Sequence, residues 1–353
     1  MIKNRERSYI NTVKGIAIVL MIWGHCIQSV CDEGYNFYLN PVFMTIYSFH
    51  MPLFMLVSGY LFFYSYQKRD LKTLLVHKTQ GLLQPIVFAS MLNIILEKFP
   101  TLLLHGTFQI GNGRLLIGLY SLWFLWCVLS SSIAVAIAGK LTAKPWLQPF
   151  TVLLGFFLVT LFPENAYHMY MYPYFVAGFF FGMYRDRIPA MCFKLFRLCL
   201  VLFPLLLQFY GMEHYIYVTP VWVPEMDMSV LAKLNGFRWL IGFVGSGFVL
   251  TLTDLLYRCT VDRQRVPLMV KGLEKLGENS LSVYCVSVSL QSYYLSKIND
   301  RLMLMAGRNL FMENMTLYNY LYTPLMTVAY CVGLYYVVVL LKKLKIHKLI
   351  FGR

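Results

Sequence analysis

The sequence predicts an all-α, polytopic integral membrane protein with about ten transmembrane helices and both termini cytoplasmic. Three observations lead there. Of 353 residues, 58% are hydrophobic and only 13% charged, about half the charged share of an average soluble domain. A chain so poor in polar side chains takes lipid as its main solvent. Apolar runs of bilayer-spanning length, roughly 17–25 residues, recur from end to end. No soluble domain separates them, so residues 1–353 read as a single transmembrane domain. Finally, the basic flanks alternate. One alternating set, containing both chain ends, holds 23 of the 31 Lys and Arg; the other holds 7, and Lys14 lies inside the first run. The positive-inside rule assigns the richer set to the cytoplasm, and an even number of crossings agrees.

The runs are read in order as 10–30, 41–64, 82–97, 118–138, 149–161, 167–184, 195–211, 236–256, 279–296 and 318–341. The first follows a basic N-terminus, as in a signal peptide, but no small-x-small site closes it, and it is expected to stay on the chain. The second, entering from outside, carries Pro52, which removes a backbone donor and bends a helix. The fifth is short. Between the seventh and eighth lies the longest outer loop, about 212–235, where aromatics, prolines and carboxylates mix. It reads as an interfacial aromatic belt or as a platform for stacking sugar rings. The +15 net charge follows the topology and calls for no nucleic acid. Eight cysteines are scattered with no C-x-x-C pair and no zinc spacing. They read as packing residues, and no metal site is expected. No internal repeat is visible.

The ionisable residues inside the runs carry the functional signal. Lys14 and His25 are eleven residues apart. On a helix that is about 20° off one face and ~16 Å along the axis. Lys14 then sits near the cytoplasmic mouth and His25 beyond the midplane. Lys14 also suits a snorkelling anchor, and His25 an interhelical hydrogen bond. His50, about nine residues into the second run, reaches a similar depth from the opposite direction. Two histidines at one depth suggest a shared polar pocket, although His50 also suits capping the bend at Pro52.

Four stretches resemble the acyltransferase type-3 family, bacterial membrane enzymes that acylate glycans and other acceptors. They are YINTVKGIAIVLMIWGHC at 9–26, FHMPLFMLVSGYLF at 49–62, SLWFLWCVL at 121–129 and LGENSLSVYCVSVSLQ at 276–291. Their order and spacing extend the resemblance over most of the chain. Asn11 stands where the family commonly has an acid, Lys14 where it has arginine, Ser287 where a histidine is frequent and Gly81 where a basic residue is. The resemblance implies an O-acyltransferase of the bacterial plasma membrane, similar to fucose 4-O-acetylases. Its donor would be cytoplasmic acyl-CoA, acetyl-CoA above all, used as a co-substrate with no permanently bound cofactor. Its acceptor would be a hydroxyl of a surface or exported polysaccharide.

On that reading His25 is the general base and His50 a candidate oxyanion donor. Lys14, Lys68, Arg69, Lys72 and Lys78 would hold the anionic nucleotide, and Trp123 and Tyr284 would contribute to the substrate side. Composition alone equally suits a transporter or flippase, or a non-catalytic accessory subunit of polysaccharide synthesis. Transporters tend to show inverted repeats.

Overall fold

The computed structural model describes residues 4–29, 35–105, 118–142, 144–188, 194, 196–261, 266–290 and 294–351. Cys31 and Cys192 lie outside the described residues, as do residues 30, 195 and 291–293 of the expected runs. Among the described residues all regular structure is helical, and each of the ten expected runs contains helix. The main elements are α1 (Asn4–Gln28), α2 (Pro41–Tyr47), α3 (His50–Lys68), α4 (Leu71–His105), α5 (Trp123–Lys140), α6 (Asn165–Tyr184), α7 (Cys199–Leu207), α8 (Met228–Cys259), α9 (Leu268–Glu278), α10 (Ser280–Leu290) and α11 (Thr323–Lys343).

Among the described residues, six stretches are long and apolar enough to cross a membrane: Asn4–Gln28, Pro41–Lys68, Leu71–Phe99, Trp123–Lys140, Met228–Cys259 and Met315–Lys343. Shorter apolar helices fill Gln148–Val159, Phe196–Leu207 and Ser280–Leu290. Large apolar side chains stand exposed along whole helix faces, among them Val87, Met91 and Ile95 on α4 and Leu325, Val328 and Val332 on α11. Patches of that extent suit contact with hydrocarbon, not water. The protein is a polytopic membrane protein.

The second expected run is broken. Asn40 caps α2, its Oδ1 accepting from the backbone N–H of Val42 and Phe43 at 3.0 and 3.1 Å, with Pro41 at the first helical position, where a missing donor costs nothing. α2 ends at Ser48, and Phe49 leaves helical geometry at φ −145° and ψ −16°. Pro52 therefore falls in the first turn of α3, so the bend comes just before the proline. The fifth run is likewise interrupted, at Gly155 between Gln148–Leu154 and Phe156–Val159. α9 was not among the expected helices. Its eleven residues are short and carry charge, which hides it from a search for membrane-length runs.

Two glycine contacts set the packing. α3 and α6 run against each other so closely that a Cβ on Gly59 would lie 1.9 Å from Phe175 O, and one on Gly178 1.9 Å from Leu56 O. α1 meets α9 in the same way: a Cβ on Gly15 would lie 2.0 Å from Leu273 O, and one on Gly277 1.7 Å from Asn11 O. Small residues let backbones touch where the hydrophobic effect cannot pull helices together. α1 is central, touching α2, α3, α8, α9, α10 and α11.

Candidate active site

Around the C-terminal half of α1 the helices leave a cavity of about 250 Å³. His25 from α1 and His50 from α3 line it, together with Trp123 at the start of α5 and Tyr284 on α10. These are four of the residues singled out in the sequence. Tyr47, Ser121 and Tyr217 join them, with Met21, Met51 and Val288 as apolar wall. His50 is buried and His25 partly so, while Tyr217 is 40% exposed and marks the mouth.

The two imidazoles are held by different partners. His25 Nδ1 lies 2.8 Å from Gln28 Oε1, one helical turn on. An amide carbonyl oxygen accepts only, so Nδ1 carries the proton and Nε2 holds the lone pair. The Tyr47 hydroxyl donates to the same Gln28 oxygen at 3.0 Å and lies 3.4 Å from His25 Nδ1. His50 Nδ1 donates to the carbonyl of Ile46 at 2.9 Å. His50 thus caps the broken helix and lines the cavity at once. In this tautomer its Nε2 is also an acceptor, so a neutral His50 has no N–H left for an oxyanion. Tyr47 stands between the two rings, its centroid 6.4 Å from His25 and 4.6 Å from His50.

The loop after α7 packs over this end of the cavity. Arg238 of α8, fully buried, donates to the carbonyls of Glu213, His214 and Thr219 at 2.7, 2.9 and 2.7 Å, and to Asn235 Oδ1 at 2.9 Å. A buried guanidinium is costly unless its donors are met, and here the loop's own carbonyls meet them. This clamp places Tyr217 in an aromatic group, 6.2 Å from Trp123 and 5.7 Å from Tyr167 between ring centroids. Trp123 and Tyr167 themselves lie 5.0 Å apart.

The other predicted residues lie elsewhere. Lys14 is partly buried on α1 and does not line this cavity. Lys68 and Arg69 close α3, Lys72 begins α4, and the Lys78 ammonium lies over the Phe62 ring at 5.1 Å. They gather around the α3–α4 turn, away from the histidines. At the positions that depart from the family pattern, Asn11 is buried under the Gly277 contact, and Ser287 donates to Tyr284 O at 2.8 Å. Sequence reasoning missed Gln28, Tyr47, Ser121 and Tyr217. Gln28 carried a signal, a polar residue three positions after His25 on an apolar helix.

The family profile described as an acyltransferase domain, acyltransferase type 3, matches residues 7–343. The chain belongs to the acyltransferase type-3 family. Within curated proteins, this acyltransferase-family chain is 34% identical over 185 residues to the nodulation protein NolL of Sinorhizobium fredii, covering 51% of the chain and 49% of that protein. It is 31% identical over 184 residues to nodulation protein NolL of Mesorhizobium japonicum, covering 51% and 48%. The match thus spans about half the length of these relatives. No solved structure is significantly similar to it.

Proposed function

We propose that the protein is an integral membrane O-acyltransferase, one domain over residues 1–353. In this reading it moves an acetyl group from cytoplasmic acyl-CoA to a sugar hydroxyl of a surface or exported glycan. Ten crossings with both termini in the cytoplasm put the base-rich flanks on the donor side and the Tyr217 mouth on the acceptor side. The nodulation proteins it resembles are bacterial, and a bacterial plasma membrane suits this arrangement.

The observation that carries the reading is the Gln28 bond to His25 Nδ1, which leaves Nε2 as the basic nitrogen of a cavity walled by aromatic rings. The acceptor hydroxyl gives its proton to His25 Nε2 as its oxygen attacks the thioester carbonyl. The tetrahedral intermediate collapses, the C–S bond breaks, and the imidazolium returns the proton to the leaving thiolate. The oxyanion would be met by the Trp123 indole N–H and the hydroxyl of Tyr284, and by His50 only when it is protonated. Tyr217, Trp123 and Tyr167 offer faces for a sugar ring. Lys14, with Lys68, Arg69, Lys72 and Lys78 near the cytoplasmic end, suits the anionic nucleotide of the donor.

His25→Ala is expected to abolish transfer of labelled acetyl from acetyl-CoA while the protein still inserts and accumulates. Glycans from cells carrying the variant should lack one acyl group by mass spectrometry. Full acylation by His25→Ala would sink the mechanism, and purified protein that neither transfers nor hydrolyses the acyl group would favour a transport or accessory role.

A further inference from the structure

A second cavity is larger than the one that holds the histidines. It holds about 780 Å³, within the ~300–1,000 Å³ range of ligand pockets. It lies between α1, α3, α6, α8 and the residues Lys194, Phe196 and Arg197, and shares no lining residue with the histidine cavity. All four helices grade along it in the same sense. On α8 the wall runs from Phe243 and Leu250 to Asp254 and Arg258; on α1 it runs from Val13 and Ile10 to Glu6 and Arg5. On α3 it passes from Val57 to Tyr60, and on α6 from Ala177 and Phe181 to Arg185. The fifteen helical steps from Phe243 to Arg258 span ~22 Å of helix. The cavity is a slot, apolar at one end and charged at the other.

The charged end is cationic. Glu6 accepts from Arg185 Nη1 at 2.5 Å, and Asp254 from Arg258 Nε at 2.7 Å. The two carboxylates are thus balanced by two arginines, and Arg5, Lys194 and Arg197 give a net excess of positive charge. By the topology proposed above, this end meets the cytoplasmic leaflet, whose anionic lipids attract such clusters.

We propose that this slot binds an anionic phospholipid, its phosphate among Arg5, Lys194 and Arg197 and one acyl chain between α1, α3, α6 and α8. Acyl-CoA has a similar chemistry, but its thioester must reach His25. The deepest α1 residue lining the slot, Val13, is twelve residues short of it, ~18 Å along the helix. A bound lipid would brace α8, which carries the Arg238 clamp at its other end.

The test uses full-length protein purified in detergent and stripped of lipid, with native mass spectrometry as readout, so it does not depend on the enzymatic reading. Phosphatidylglycerol should be retained, phosphatidylcholine of the same chains should not. Lys194→Gln/Arg197→Gln, a change at exposed positions, should weaken phosphatidylglycerol retention by on the order of tenfold or more, the scale two surface cations supply. Ala177→Phe, filling the chain end, should weaken it without altering charge. Equal retention of both lipids, or unaltered retention in both variants, would overturn the proposal. So would displacement of the lipid by coenzyme A, which would make the slot a donor site.

Discussion

Replacing Gln28 by leucine tests the active-site reading most directly. The change keeps approximate volume and removes the oxygen that accepts from His25 Nδ1 at 2.8 Å. The Nδ1–H is then left with only the long 3.4 Å contact to the Tyr47 hydroxyl, a loss of about 1–3 kcal/mol for a poorly satisfied donor, and the ring is freer to turn or to exchange tautomers. If that energy is lost between ground state and transition state, kcat falls about five- to 150-fold, since ~1.36 kcal/mol is a factor of ten. The donor KM should hold, because Gln28 stands at the far end of α1 from the cytoplasm in the proposed topology. Gln28→Glu should recover most of the rate, since a carboxylate accepts the same N–H with charge assistance. The assay is initial-rate transfer of labelled acetyl in proteoliposomes, with protein amount matched by immunoblot. A wild-type rate for Gln28→Leu refutes the reasoning, and so does a Gln28→Glu loss as deep as that of the leucine variant.

Three further outcomes follow from the geometry. Tyr217→Ala should raise the acceptor KM by several-fold, the ~0.5–1.5 kcal/mol of an aromatic contact, with Tyr217→Phe close to wild type; equal KM values for both would remove Tyr217 from the acceptor site. Arg238→Gln leaves the partly buried carbonyls of Glu213 and Thr219 without their donors, a loss of about 1 kcal/mol for each hydrogen bond. Amide exchange over 211–219 should quicken, and unchanged protection there would contradict the clamp. Gly59→Ala puts a methyl 1.9 Å from Phe175 O, so the helices must part at about 1–3 kcal/mol; an unshifted thermal midpoint in detergent would count against that contact.

Much of this was legible in the sequence, for identifiable reasons. Helical rise and the direction of entry place His25 and His50 at one depth, and they line one cavity. Trp123 and Tyr284 joined them because the motifs containing them are long and specific. Tyr217 could not be placed, since an aromatic in an outer loop looks the same whether it meets lipid or covers a site. What decides between these is Arg238, whose carbonyl partners lie 19 to 25 residues away and leave no periodic trace. The Glu6–Arg185 pair is separated by 179 residues and was equally invisible. Lys14 shares a stripe with His25, but facing the same way does not put two residues in the same cavity when many ångströms of helix separate them. The expected kink at Pro52 became a break at Ser48–Phe49 because proline sits more easily in a first turn than in a helix interior.

The contact between Gly59 and Gly178 has a consequence for depth. Two smooth apolar helices in lipid can slide along each other with little to choose between neighbouring positions. The paired glycines remove that freedom, because each backbone enters the notch left by the other's missing side chain, and only one height fits both. A slip of one turn would carry α3 by ~5.4 Å and lift His50 out of line with His25. The two glycines therefore work as a depth gauge, nine residues along the helix from the imidazole they level.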